Sequence, residues 1–374
     1  MDVHDFLNPI IITSRIFGLA HFTVICNKSS ETVRYKFSKF WLIYTIIFTS
    51  LQDILQILIE WNARFITTEI VLTKTTQYIY YTTLIISNVN VMLSVYNSKK
   101  LVVVLNELSS IQFRNVHYKN KVKIYICYIP VTFLFLMIIC SVLTKGSHSM
   151  FASHADILNG LTSTRFALLI LPYLQLLHIL IILKEKFESL NSKVISGRII
   201  LLKNAHNLLC ELTEKVNGIY SVQITVVIAL GFVQITTCSF TIIRFILFAN
   251  IDTFAKFTIC GITVWITFFI IMFTILLCLC SAISFEANRT GILVHKALKA
   301  VEDSSVKEEL EEFSLQLLQR KVQFTACGLF PLDFTLLCSI IGAVTTYLVI
   351  LIQFQDMFDN NPTNGTDVTT SASP

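Results

Sequence analysis

Six stretches of 18 or more residues contain no Asp, Glu, Lys or Arg, and they constrain this chain more than any other feature. They are Thr75–Ser98, Ile124–Thr144, Phe166–Leu183, Val216–Ile243, Phe257–Phe285 and Phe334–Gln355. A seventh, Phe40–Ile59, is interrupted only by Asp53. A helix crossing the hydrocarbon core needs about 20 predominantly apolar residues. The sequence therefore predicts an all-α integral membrane protein with seven transmembrane helices. Charged residues make up 14% of the 374, against roughly 25% in a soluble protein, so a soluble two-domain enzyme is excluded.

The scarce charges set the orientation. Of the 29 Lys and Arg residues, 23 fall in four segments: the N-terminal stretch and the loops after spans two, four and six. The other loops hold only Arg64, Lys74, Lys145, Arg165, Arg244 and Lys256. By the positive-inside rule the N-terminus is cytoplasmic and the C-terminus extracellular. The tail fits that orientation, because Asn364-Gly365-Thr366 is a glycosylation sequon in a Ser/Thr/Asn-rich stretch and works only on the lumenal side. Asn27-Lys28-Ser29 and Asn288-Arg289-Thr290 also match the pattern but fall inside. Met1-Asp2-Val3-His4-Asp5 lacks the basic start of a signal peptide, so the first span is expected to act as the insertion signal.

The cytoplasmic segments carry helical patterns. Ser305-Val306-Lys307-Glu308 reads as a capping box, and Val306, Leu310, Phe313 and Leu317 then make one apolar stripe. Lys184–Lys215 has a similar mixed character and would extend span four and lead into span five. Such helices either lie on the membrane surface or pack together into a cytoplasmic hub; the periodicity favours the hub. Residues 1–39 are assigned to a cytoplasmic N-terminal segment and 40–285 to a six-span bundle. Residues 286–329 are assigned to the amphipathic helices of that hub, 330–356 to a seventh span and 357–374 to an extracellular tail.

The last span reads Thr346-Tyr347-Leu348-Val349-Ile350-Leu351-Ile352-Gln353-Phe354. Thr-Tyr, five apolar residues, then Gln-Phe resembles the signature of the insect gustatory receptor family. The size, the inverted seven-span topology and the amphipathic helix before span seven extend the resemblance over most of the chain. It implies a homotetramer, or a heteromer with related receptors, that forms a cation channel opened directly by a small-molecule tastant. It implies further that the last span lines a central pore, and that each subunit has a ligand pocket in the outer half of its bundle. Leu348 stands where the sweet-sensing branch usually has Glu. The departure points to the bitter-type group, with a fructose-like or other sugar sensor and an odorant receptor of the related family as alternatives. A seven-span receptor signalling through a soluble partner is the alternative from a different class.

Under that resemblance, Gln353 and Phe354 form the gate. Adjacent helix residues point about 100° apart, so a modest rotation would exchange an amide for a phenyl ring at the axis. A ring of Phe354 dewets the pore, whereas a ring of Gln353 presents carbonyl dipoles to a partly hydrated cation. Tyr347 and Ile350 share the Phe354 face. The plainer alternative is that Gln353 and Phe354 mark the water interface. With no acidic ring in the span, monovalent cations would pass broadly, with some calcium. Asp356 and Asp359 either concentrate cations at the mouth or are ordinary solvated tail residues.

The outer half would hold the ligand candidates Trp265, Tyr173, Gln234, Tyr81 and Thr237, aromatic walls with a few polar groups. Trp265 leads them because it buries much area and offers one donor. Asp53 and Arg244 are intramembrane charges and so functional suspects; a mutual salt bridge, ligand contact and snorkelling stay open. His178 is expected to make a helix–helix hydrogen bond. The ten cysteines lie mostly in apolar runs without metal spacing, and no metal or cofactor is expected. Phosphate loops, nucleophile elbows and His-Glu-x-x-His are absent from the sequence, so no enzyme is expected. The basic residues spread over four juxtamembrane segments give no support to nucleic-acid binding. The expected location is the plasma membrane, in contact with lipid.

Overall fold

A computed structural model describes residues 3–27, 32–64, 70–111, 151–193, 199–248 and 253–360. Eight helices occupy most of them: α1 (Val3–Ile16), α2 (Lys39–Arg64), α3 (Ile70–Ser110), α4 (Phe151–Lys193), α5 (Ile199–Phe248), α6 (Thr253–Ala300), α7 (Ser304–Gln319) and α8 (Phe334–Asn360). Two short antiparallel hairpins interrupt the helical series, β1 (Phe22–Asn27) with β2 (Thr32–Phe37), and β3 (Thr325–Ala326) with β4 (Phe330–Pro331).

Among the described residues, α2, α4, α5, α6 and α8 contain stretches long and apolar enough to cross a membrane, and each coincides with an expected span. The expected span Thr75–Ser98 lies on the continuous helix α3, but the polar run Ser87-Asn88-Val89-Asn90 keeps α3 out of that apolar set. The expected span Ile124–Thr144 lies outside the described residues. With 50 residues in α5, a rise of 1.5 Å per residue gives a length of about 75 Å, more than twice the roughly 30 Å hydrocarbon core. The long helices must therefore project well beyond the bilayer.

By contacts the chain divides into two compact units. The first comprises Met1–Val227 and Ile271–Phe334, the second Ile228–Ile270 and the chain from Thr335.

Three layers of packing hold the first unit together. The α1 helix buries Phe6, Leu7, Ile10, Ile11 and Ser14, one stripe by helical spacing, and Phe6 meets the His178 ring of α4 at 5.2 Å. The β-branched and aromatic residues of Phe22–Asn27 and Thr32–Phe37 suit a hairpin, which was not expected in the N-terminal segment. Its Phe22 and Tyr35 rings meet edge to face at 5.7 Å, and both are buried. His21, just before β1, is buried too, and burial lowers its pKa to about 4 against the opposing pull of the Gly18 carbonyl. The unfolded chain would protonate this imidazole near pH 6.5, the folded chain only near 4. The stability His21 lends is therefore full above about pH 6.5 and falls as pH drops toward 4. Replacing His21 by Asn should flatten that part of the acid-stability curve measured by thermal unfolding.

The third layer is a hub in which α7 packs on α5 and α6, and α4 packs on the same two helices. Leu310 and Phe313 are buried while Val306 and Leu317 are half-buried, so the expected stripe faces protein. Phe313 meets the His206 ring at 5.8 Å, and Phe187 meets the same ring at 5.8 Å. Asn191 Nδ2 donates to Glu286 Oε2 at 2.9 Å, and Thr290 Oγ1 donates to Asn191 Oδ1 at 2.7 Å. Lys203 pairs with Glu312 at 2.8 Å and Lys215 with Glu107 at 2.7 Å. The cap of α7 differs from the expected Ser305 box. Asp303 is the N-cap, and its carboxylate accepts from Ser305 N at 3.0 Å and Ser305 Oγ at 3.0 Å. A carboxylate at a helix N-terminus also gains from the helix dipole, an advantage a hydroxyl cap lacks.

In the second unit α5 and α6 approach closely at Gly231, where a Cβ would run into the Phe269 ring. Phe232 meets Tyr347 of α8 edge to face at 5.6 Å. No residue of α8 from Phe334 to Phe354 is buried, and Ile341 and Tyr347 are more than half exposed.

Candidate functional site

Asp53, one of the two suspected intramembrane charges, is paired, though not with Arg244. Arg165, expected in an outer loop flank, lies within α4, is fully buried, and donates from Nη2 to Asp53 Oδ1 of α2. Arg165 Nη1 reaches Ser87 Oγ at 3.3 Å, and Asn88 Nδ2 donates to the same Asp53 oxygen at 3.0 Å. Beside them Gln52 Nε2 donates to Thr164 Oγ1 at 3.0 Å. A charge in an apolar bundle needs a partner and hydrogen bonds, and this cluster supplies both while tying α2, α3 and α4 together. Arg244, the other suspect, is exposed on α5 in the second unit. His178 Nδ1 faces the Leu174 carbonyl of its own helix at 2.7 Å.

A small cavity opens among α3, α4 and α5. Asn90, Pro172, Tyr173, Leu176, Tyr220 and Gln223 are among its lining residues. At ≈ 10 Å³ it has room for about one water. Two buried polar atoms at its wall, Asn90 Oδ1 and Tyr220 OH, have no hydrogen-bond partner among the described residues. Tyr173, one of the expected ligand contacts, spends its hydroxyl on the Met272 carbonyl of α6.

The other expected ligand contacts are divided between the units. Tyr81 is half-buried on α3 in the first unit. In the second unit Trp265 stacks on Phe268 with centroids 6.3 Å apart, Gln234 Nε2 donates to Cys238 Sγ at 3.5 Å, and Thr237 Oγ1 bonds back to the Val233 carbonyl at 2.9 Å. Of the expected pore residues, Gln353, Phe354, Tyr347 and Ile350 are all exposed on α8. Asn364 lies outside the described residues.

One arrangement that the sequence reading missed fastens the β3–β4 hairpin to α5. Asn217, Ser221 and Thr225 recur every four residues on α5 and so share a face. Asn217 Oδ1 accepts from Thr325 N at 3.3 Å, and Ser221 Oγ accepts from Cys327 N at 2.7 Å. The hydroxyls of Ser221 and Thr225 each donate to Cys327 Sγ at 3.3 Å. Cys327 holds φ 53°, and Gly328 follows at φ 71°. A left-handed non-glycine residue costs about 1–2 kcal/mol, so the clasp holds a turn that the chain would not adopt alone. Three polar residues at one-turn spacing on an apolar helix were the signal available. Ser221→Ala removes the partner of Cys327 N–H and should lower stability by about 1–2 kcal/mol. A melting curve of the detergent-purified variant checks the loss.

Long apolar helices, a hub extending past them and a buried ion pair inside the bundle define a polytopic helical membrane protein. The chain matches the family model described as 7tm chemosensory receptor over residues 7–358; it belongs to that family, whose members are receptors rather than enzymes. Similar curated proteins include putative gustatory receptor 28b of Drosophila melanogaster, 34% identical over 43% of this chain and 34% of that protein. The Drosophila melanogaster gustatory receptor for bitter taste 66a is 29% identical over 44% of this chain and 32% of that protein. The chain thus matches about a third of the length of these relatives. Among solved structures, the insect olfactory receptor OR5 from Machilis hrabei in complex with eugenol shares the fold, with TM-score 0.66 and 15% identity over 94% of this chain and 98% of that one.

Proposed function

We propose that the protein is a tastant-gated, nonselective cation channel of the plasma membrane, tuned to bitter plant compounds. Four copies, or copies mixed with related subunits, surround a pore lined by α8. The N-terminus is cytoplasmic, the C-terminus is extracellular, and Asn364 carries glycan. The observation that carries the proposal is the condition of α8. Its last turns hold Gln353 and Phe354, yet none of its residues from Phe334 to Phe354 is buried by its own chain. Each large apolar side chain left in water forfeits about 1.5–3 kcal/mol, so this helix needs lipid or further helices around it. A ring of identical copies satisfies that need and encloses a path for ions.

Phe354 closes the path, Gln353 lines it when the helix turns, and Tyr347 and Ile350 support the Phe354 face. Tyr81, Tyr173, Gln234, Thr237 and Trp265 are retained as ligand-contact candidates, each open to single substitution. Similarity to a bitter-taste receptor supports the ligand class, as does Leu348 in place of an acid. A C-terminal epitope tag tests the arrangement first: staining of intact expressing cells is expected, and a tag reached only after permeabilisation overturns the topology. Oocytes expressing this chain alone and challenged with bitter compounds and sugars then test the ligand class. Bitter-evoked cation current is expected, and responses to sugars alone overturn the tuning.

A further inference from the structure

Two exposed apolar stripes, one on α3 and one on α2, end in cations that lie close together. On α3, Ile85, Met92 and Tyr96 are 60%, 71% and 73% exposed, and the helix then presents Lys99 and Lys100, also exposed. On α2 the sequence runs the other way: exposed Lys36 and Lys39 precede Phe40, Ile43 and Ile47, all more than half exposed. The two ends are joined. Lys99 Nζ sits 5.8 Å from the Phe37 ring centre, and Lys100 Nζ lies 5.2 Å over the Tyr96 ring. Both main-chain groups of Tyr35 bond the Asn106 side chain, at 2.8 and 3.0 Å, which fixes β2 along α3. Arg34, exposed on β2, is a fifth cation. None of the five is in an ion pair among the described residues.

We propose that this patch is a binding site for a phospholipid with a multiply phosphorylated headgroup. The exposed stripes of α2 and α3 take the acyl chains, and Lys36, Lys39, Lys99 and Lys100 take the phosphates. An exposed Lys ordinarily points into water, and its charge alone suits any anion. Here the four ammonium groups border two apolar stripes at the level where a headgroup meets hydrocarbon, and aromatic rings hold two of them in place. Cations near an anionic surface act additively, so four together discriminate a polyphosphorylated lipid from a zwitterionic one. In the proposed orientation the patch faces the cytoplasmic leaflet, where anionic lipid resides. The lipid would brace α2 against α3 beside the hairpin, a site separate from the tastant contacts.

The test uses the full chain in phosphatidylcholine nanodiscs, with binding of fluorescent phosphatidylinositol bisphosphate as the readout. K36Q/K39Q/K99Q/K100Q should weaken binding about a hundredfold or more, and the milder K99Q/K100Q pair should lose part of it should the quadruple variant fail to fold. K296Q/K299Q/K307Q/K321Q removes the same charge from exposed hub positions and should bind as the parent does. Equal loss in both quadruple variants would mean attraction to net charge alone and would overturn the site. Unchanged binding in K99Q/K100Q would overturn it as well. Soluble inositol trisphosphate should compete weakly; competition as strong as that of the lipid would remove the acyl-chain contribution and with it the lipid assignment.

Discussion

Arg165→Ala should lower the stability of the folded chain by about 2–3 kcal/mol, less than the roughly 3–5 kcal/mol of a fully buried pair, because the Asp53 side chain left without its partner is 29% exposed. The Asp53 carboxylate would keep Asn88 as a donor but lose its countercharge, and Ser87 would lose the guanidinium it accepts from. The expected readouts are a sharply lower melting temperature in detergent and little protein at the cell surface. Removing both charges is a different experiment. A buried pair replaced by apolar residues of similar size is often neutral or stabilising, so Asp53→Leu combined with Arg165→Met should recover most of the loss. Recovery by the double variant would assign the pair to holding α2, α3 and α4 together. If Arg165→Ala melted like the parent protein, the cluster would not be holding the bundle.

The second large effect is expected at the far end of α8. In Phe354→Ala the proposed hydrophobic constriction loses its ring, and water can enter without rotation of the helix. Ligand-free cation conductance should rise roughly tenfold or more, equivalent to about 1.4 kcal/mol taken from the closed state's advantage. Gln353→Ala should act in the opposite sense, leaving the channel closed at rest and reducing the tastant-evoked current. A Phe354→Ala channel as silent at rest as the parent would remove Phe354 from the gate. Both residues are exposed on the helix surface, so neither substitution opens a cavity in the packed core, and the effects read on conduction rather than folding.

The helical layout was legible because each apolar run reports on a whole helix at once. The stripe Val306, Leu310, Phe313 and Leu317 was legible for the same reason, since a period of 3.6 survives whatever packs against it. Pairings between helices were harder. Asp53 and Arg244 drew attention as isolated charges in apolar runs, whereas Arg165 sat at the edge of one and read as loop. Only packing of α4 against α2 shows that Arg165 is fully buried and is Asp53's partner. The clasp at Ser221 was out of reach for a related reason. Its meaning depends on a strand more than a hundred residues later, and neither Cys327 nor Gly328 carries a helix-length pattern. The cap of α7 lies two residues before the expected Ser305, since the Asp303 carboxylate can accept from a first-turn N–H as a Ser hydroxyl can. The ligand candidates were chosen by depth along a span, which says nothing of the direction a side chain takes. Tyr173 illustrates this, with its hydroxyl committed to the Met272 carbonyl.

The most direct test of the central claim is a recording from the purified protein alone in a planar lipid bilayer. Addition of a bitter compound active in oocytes should evoke cation-selective single-channel openings, and Phe354→Ala should open without it. A purified protein that binds the same compound but never conducts would contradict the channel account and leave a receptor that signals through another protein.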